Sequence, residues 1–490
     1  MSQTLNSFKR IFLQRFRVLA LLPLLLITLP IKSNDLNLPD LGDSLAGIAT
    51  PLQEYRFGQQ WLRYFRSQTN VSQDPFINQY VERMTKELLK YSDVQDRRIS
   101  TVVVNNPTLN AFAVPGGVIG VHTGLFRYSG DEQQLASVLA HELAHLSQRH
   151  HARKLEEQKQ NSLLTMAGLF ASILIAASSS GDQGIAALSA TQALSIDAAL
   201  RFSRSMEQEA DRIGIETLVR AGLDPHAMPD MFEQMLRASQ YSRRPPEFLL
   251  THPITESRVI DSKNRARRYP EKPRSPELEF ELIKMRITIE HSQNKLNLVN
   301  VFKNKISGTR FSDTAAQYGL TLAYIETNQP KLAVKEAQSL LKTHPNNPFF
   351  IAALTRAYQQ DKAFIKAEQT ILPLLKIEPD NHALNVTLAE LYMAAGEHEK
   401  CANLLIRHSQ RRPKDAYVWY LLAEIEGLRG NILGVHLARA EYFYLNGIYR
   451  KSRLQIESAL KTIKTDDPLT QAKVEQRLKQ VRREERNPLS

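Results

Sequence analysis

Apolar residues recur along this chain with several spacings, and each predicts a different element. Leu135, Val138, Leu139, Leu143 and Leu146 stand three or four apart, which is one face of an α-helix. Ser129 and Glu132 precede them in the S-x-x-E order of a capping box, so the helix is expected to open there. A second helical period runs through SRSMEQEADRIGIETLVRAG and stops at Gly222, with Pro225 beyond. The stretch NAFAVPGGVIGVHTGLF, Asn110 to Phe126, reads instead as two short strands around Pro115-Gly116-Gly117. Beyond about residue 310 everything reads as short helices. Two runs are uncharged and mostly apolar: 14 residues from Val18 to Ile31 and 15 from Leu163 to Ala177. Both fall short of the ~20 residues of a membrane span.

The first run follows Lys9, Arg10, Arg15 and Arg17, so residues 1–33 are expected to be an export signal, with a retained N-terminal anchor as the alternative. The second leads through SSSGDQG into another apolar helix ending near Leu200. It is expected to fold as a helical hairpin beside a cleft, with peripheral membrane contact through 163–200 as the alternative.

Pro345, Pro379 and Pro413 stand 34 residues apart, and Gly447 a further 34. In that register Leu320, Leu354, Leu388 and Leu422 align, as do Tyr324, Tyr358 and Tyr392, and Ala333, Ala367 and Cys401. A fixed period of this length indicates a helical repeat array, and the pattern resembles the tetratricopeptide repeat. Cys401 then fills the small-residue slot as a packing residue. The fourth unit departs, with Glu426 and Val435 at the tyrosine and small-residue slots, and is expected to begin a divergent cap. Stacked helical pairs form a superhelix that binds extended peptides or partner proteins.

Composition narrows the remaining choices. The formal charge is +12; a cleaved signal would remove five cations and no acid, leaving a moderately basic chain. No basic block interleaved with aromatics is present, so nucleic acid is not an expected partner. Cys401 is the only cysteine, which excludes an intramolecular disulfide.

The candidate chemistry lies in VLAHELAHLSQRHHARK, Val138 to Lys154. At ~100° per residue, His141 and His145 stand ~40° apart on one helix face, where two imidazoles can share an ion. Glu142 lies beside them. On a continuous helix His150 falls on the opposite side and His151 also off the face, so both are expected at solvent. H-E-x-x-H alone is a weak signal without a third ligand. Glu207 is the candidate, four residues before Asp211 on the second helix, with Glu209 pointing away.

At these residues the chain resembles peptidase family M48, with HELAH followed by an E-x-x-A-D motif read as Glu207 to Asp211. The resemblance implies one Zn2+ per chain on His141, His145 and Glu207, with Glu142 as general base. Asp211 would orient a ligand histidine or donate a proton. THPITESR, Thr251 to Arg258, matches an H-P-x-x-x-x-R pattern whose histidine approaches the metal, bringing in His252 as a catalytic residue and Arg258 as a substrate contact. Asn110 would be the polar contact of an edge strand that pairs with substrate. His252 has two opposed roles open to it: oxyanion donor, or fourth ligand that closes the site.

The expected fold class is α+β: a mainly helical zincin-type metallopeptidase domain with a small sheet, then an all-α tetratricopeptide-repeat superhelix. The expected divisions are a signal peptide at 1–33, a peptidase domain at 34–275, a connecting helical segment at 276–309 and the repeats at 310–490. Cutting at 310 is expected to leave a folded peptidase domain. The repeat-bearing M48 pattern implies outer-membrane β-barrel proteins as clients, degraded when misassembled or aided in assembly, with the repeats docking on the barrel assembly machinery. The alternative is a non-proteolytic chaperone or adaptor whose zinc is structural. Glu142 discriminates, because a structural site needs no such carboxylate.

Overall fold

Thr50 opens the first helix by a reciprocal cap, its hydroxyl accepting from the Gln53 N–H while Gln53 accepts from the Thr50 N–H. In the computed structural model the described residues are 50–157, 202–240, 246–274, 277–306, 311–463 and 467–486. The expected signal peptide and the apolar hairpin at 163–200 lie outside them. Helix α1 spans Pro51–Gln68 and α2 spans Pro75–Tyr91, the latter capped by Asp74.

Three short strands follow: β1 Ser100–Val104, β2 Ala111–Val114 and β3 Val118–His122. Their order is β1-β3-β2, with β3 parallel to β1 and antiparallel to β2. The expected pair of strands around Pro115 to Gly117 is thus a hairpin, and its first strand is an edge of the sheet. Helix α3, Thr123–Tyr128, leads into α4, Glu132–Ser147. The expected capping box does not form. Asp131 caps α4 by accepting from the Gln134 N–H, while Ser129 closes α3 and donates its hydroxyl to Leu125 O.

The rest of this half is helical: α5 His150–Glu157, α6 Arg204–Arg220, α7 Ala227–Gln240, α8 Glu247–Thr251 and α9 Glu256–Ala266. Helices α10, Leu278–His291, and α11, Lys295–Ile306, continue to the repeats. These are the pairs α12 Phe311–Glu326 with α13 Pro330–Thr343, α14 Pro348–Gln360 with α15 Phe364–Ile377, and α16 His382–Ala394 with α17 His398–Arg411. Then come α18 Ala416–Leu428 with α19 Ile432–Leu445, and α20 Tyr449–Thr462 with α21 Pro468–Arg486.

The 34-residue period has a backbone counterpart that residue types conceal. Asn328, Lys362, Gly396 and Gly430, again 34 apart, each end the first helix of a pair at positive φ. The left-handed residue turns the chain so that the second helix can fold back. Ala333, Ala367 and Cys401 are fully buried in the crossing slot. Burial there pushes the Cys401 thiol up to about 12, which suits packing and not redox chemistry. The fourth pair keeps the hairpin form, because Glu426 is buried against Arg429 and Asn431.

Residues from Gly47 onward form one compact unit, and the core runs without a break from α2 and α4 into α18. The Phe76 ring lies 4.5 Å from Phe349. Arg286 on α10 binds Asp74 and the Tyr318 hydroxyl, and Arg412 reaches Glu82 at 2.9 Å. A Cβ on Gly447 would stand 2.5 Å from Arg63 O, so the α19–α20 turn rests directly on α1.

Cutting at 310, expected to leave a folded peptidase domain, would therefore open part of a shared core. Deleting 310–490 uncovers Phe76, takes Arg412 away from Glu82 and takes the Tyr318 hydroxyl away from Arg286. Each large apolar side chain uncovered forfeits ~1.5–3 kcal/mol. The truncated protein is expected to melt at least ~5 °C lower and to bind a hydrophobic dye. Melting at the temperature of the intact chain would show the shared core to be dispensable.

Candidate metal centre

Helices α4 and α6 approach closely because their facing residues are small. Ala144, Ala210 and Ile213 pack together, and a Cβ on Gly214 would meet Met228 at 2.7 Å and His141 N at 3.3 Å. That contact sets Glu207 and Asp211 beside the histidines of α4. His141, His145, Glu207 and His252 are all buried and offer ligand atoms within 4.8 Å of one another. Nε2 of His145 lies 3.0 Å from Nε2 of His141, which is 3.4 Å from Nδ1 of His252. His252 Nδ1 also stands 2.9 Å from Glu207 Oε1. His252 is brought to the centre by α8, whose Phe248 stacks on its ring and takes its N–H.

Around these four the structure sets partners that orient them. Asp211 Oδ1 lies 3.0 Å from His141 Nδ1, which keeps the proton on that nitrogen and leaves Nε2 free to face the centre. Burial opposes charge on His141, yet Asp211 and Glu207 raise its pKa to about 9. Burial likewise opposes ionisation of Glu207, but His252, Arg258 and the α4 histidines outweigh it and hold the carboxylate well below its usual range. His145 is kept neutral by burial.

Three expectations are corrected here. Arg258, expected to touch substrate, is 2% exposed and lies behind the ligand residues. It donates to both Asp211 oxygens at 2.8 and 2.7 Å and reaches Glu207 at 2.8 Å, because α9 packs against α6. Asn110, expected at the substrate edge, is also buried, with its side chain 3.5 Å from Glu247 at the start of α8. His150 and His151 are buried and not at solvent. Arg149 has φ of 49°, so α4 ends and α5 begins in a new direction, which voids the rotation counted along one helix.

The redirected histidines complete the surroundings. His150 Nδ1 lies 2.9 Å from His145 Nδ1, and its Nε2 lies 3.2 Å from Glu209, which Arg153 holds. Burial lowers His150 to about 4, so it is neutral and can accept the His145 Nδ1–H while donating to Glu209. His151 donates to Ala113 O on β2 at 3.0 Å. Sequence reasoning missed His150 and Glu209, since an arginine at positive φ leaves no compositional signal.

The donor set fits a dication. Glu142, Glu207 and Asp211 are buried carboxylates, and one guanidinium, that of Arg258, faces two of them. Two imidazole nitrogens converge at 3.0 Å, and both Glu142 oxygens lack hydrogen-bond partners among the described residues. Nitrogen and oxygen donors of this kind suit zinc. Glu142 stands outside the donor group with Oε1 3.6 Å from His252 Nε2, and burial raises its pKa.

Comparison with known proteins bears on both halves. The family model for peptidase family M48 matches residues 75–266, and a tetratricopeptide-repeat model matches 351–425. The chain is 35% identical over 448 residues to the beta-barrel assembly-enhancing protease of Escherichia coli K12, covering 91% of each. It is 33% identical over 450 residues to the protein of the same name from Yersinia pestis, covering 91% of this chain and 92% of that one. The mitochondrial metalloendopeptidase OMA1 of Schizosaccharomyces pombe is 33% identical over 180 residues, 37% of this chain and 50% of that protein.

Proposed function

This chain belongs to peptidase family M48 and is a metalloendopeptidase, and on that premise we propose that it is a periplasmic zinc endopeptidase of outer-membrane protein assembly. It degrades misassembled barrel proteins and assists others, and its repeats dock on clients and the assembly machinery. The client assignment is supported by the relatives' printed names. The observation that carries the chemistry is the convergence of His141, His145 and Glu207 next to an unpartnered buried Glu142.

His141, His145 and Glu207 would hold the zinc, which supplies Lewis acidity toward a peptide carbonyl and its attacking water. Glu142 takes the proton of that water on its carboxylate and passes it to the leaving amine. Its raised pKa supports both transfers. Asp211 and His150 fix the rings of His141 and His145, and Arg258 fixes Asp211 and Glu207. Strand β2, a sheet edge beside α4, is suited to hold an extended substrate once His151 gives up Ala113 O. His252, seated as a fourth donor, closes the centre at rest, and movement of α8 opens it.

Metal analysis tests the ligand set. His141→Ala, His145→Ala and Glu207→Ala are expected to lose the ion, and full occupancy in Glu207→Ala would refute its role. Asp211→Asn and His150→Ala should instead weaken metal affinity by about 10- to 100-fold. Arg258→Ala leaves two buried carboxylates without their cation and should destabilise the fold by ~3–5 kcal/mol in denaturant titration.

A further inference from the structure

A cavity of about 640 Å3 between the sheet and the repeats takes no part in the metal centre. Residues of α1, α2 and β1 wall one side, and the repeat segments around Arg411 to Tyr417 and Glu441 to Asn446 wall the other. Its size is that of a ligand cleft. Seven lining residues are Lys or Arg and three are Asp or Glu.

Most of these cations are paired, as Arg63 with Glu484, Arg412 with Glu82 and Arg477 with Glu441. Arg66 and Lys414 are different. Neither has a carboxylate within 4.0 Å among the described residues. They are neighbours, Arg66 Nη1 reaching Lys414 O at 3.5 Å. Arg66 is half-buried, with Asp415 acting on it from beyond 4.0 Å.

Lys414 stands near the start of β1. Lys414 Nζ donates to the Tyr55 hydroxyl at 2.7 Å and to Gln59 Oε1 at 3.2 Å, and Gln59 in turn donates to Ser100 Oγ. Strand β1 is the sheet edge opposite β2. Ser100 donates its N–H to Gly117 O on the β3 side, so alternation turns the main chain of Thr101 and Val103 outward. Val103 O is taken by Ser72 N at 2.8 Å. Thr101, by contrast, has no hydrogen bond on its outer edge among the described residues, and it lines the cavity. One unpaired edge residue beside two cations that no carboxylate contacts within 4.0 Å specifies both a backbone and a charge for its occupant.

We propose that the cavity binds an extended acidic segment of a client polypeptide, paired as a strand to Thr101 with a carboxylate seated between Arg66 and Lys414. The tyrosines of the lining, Tyr55, Tyr417 and Tyr442 among them, meet the alternate side chains. A client is thereby held at one edge of the sheet while β2 presents another stretch to the metal centre. Only this last consequence rests on the proposed proteolysis.

Fluorescence anisotropy with the full-length Glu142→Gln protein tests the proposal without cleavage, probe integrity being checked by mass spectrometry. The probe is the labelled peptide Asp-Val-Asp-Tyr-Asp-Val, compared with its Lys-for-Asp counterpart and with a form N-methylated at alternate amides. The acidic peptide is expected to bind, and the Arg66→Gln, Lys414→Gln double variant to bind it about tenfold or more weakly with an unchanged melting temperature. N-methylation should weaken binding at least as much, and it leaves the protein unaltered should the double variant fold poorly. Equal binding of the basic peptide, of the N-methylated peptide or by the double variant would overturn the proposal. So would full displacement by inorganic phosphate, which would reduce the cavity to a simple anion site.

Discussion

Glu142→Gln is expected to lower peptide hydrolysis by about 10²- to 10⁴-fold with metal content unchanged. The carboxylate is fully buried, its oxygens lack hydrogen-bond partners among the described residues, and it lies outside the donor group. A buried carboxylate whose nearest basic group, His252 Nε2, stands 3.6 Å away costs stability, so the isosteric neutral amide should fold as well or better. Hydrolysis of a flexible fluorogenic peptide, measured with metal content, separates the readings. If client assembly in cells survives the loss of hydrolysis, the repeats also act as an adaptor; if hydrolysis itself survives, Glu142 is not the base.

Replacing His252 by Ala is expected to raise hydrolysis of the same peptide by about 10- to 100-fold, the gain from releasing a site closed for most of the time. His252 is 2% exposed, and its Nδ1 joins the donor group at 2.9 Å from Glu207 and 3.4 Å from His141. Its carrier helix α8 is tied to the loop between β1 and β2, Phe248 N donating to Leu109 O at 3.3 Å and Thr108 donating to Glu247 at 3.0 Å. These few bonds are a restraint that substrate binding along β2 can break. Slower turnover with the ion retained would instead make His252 a donor to the developing oxyanion, and the latch would be abandoned.

What the sequence determined by itself was local. His141 and His145 share a face because four residues make about one helical turn, and Ser203 to Gly222 carries its own start and stop. The 34-residue period laid out the helical pairs because each repeat meets its neighbours in the same way. Tertiary structure decided whatever depended on backbone turns or on contacts distant in sequence. One arginine at positive φ took His150 and His151 from solvent into the core. Packing of α9 on α6 turned Arg258 from a substrate contact into the counter-ion of Asp211 and Glu207. Asp131 displaced Ser129 as the cap of α4, since Ser129 was already committed to closing α3. The cavity beside β1 exists only because the repeats fold back onto α1 and α2. Periodicity records which face of an element is buried; it holds no record of the partner that buries it, and charges such as Arg258 and Lys414 take their roles from that partner.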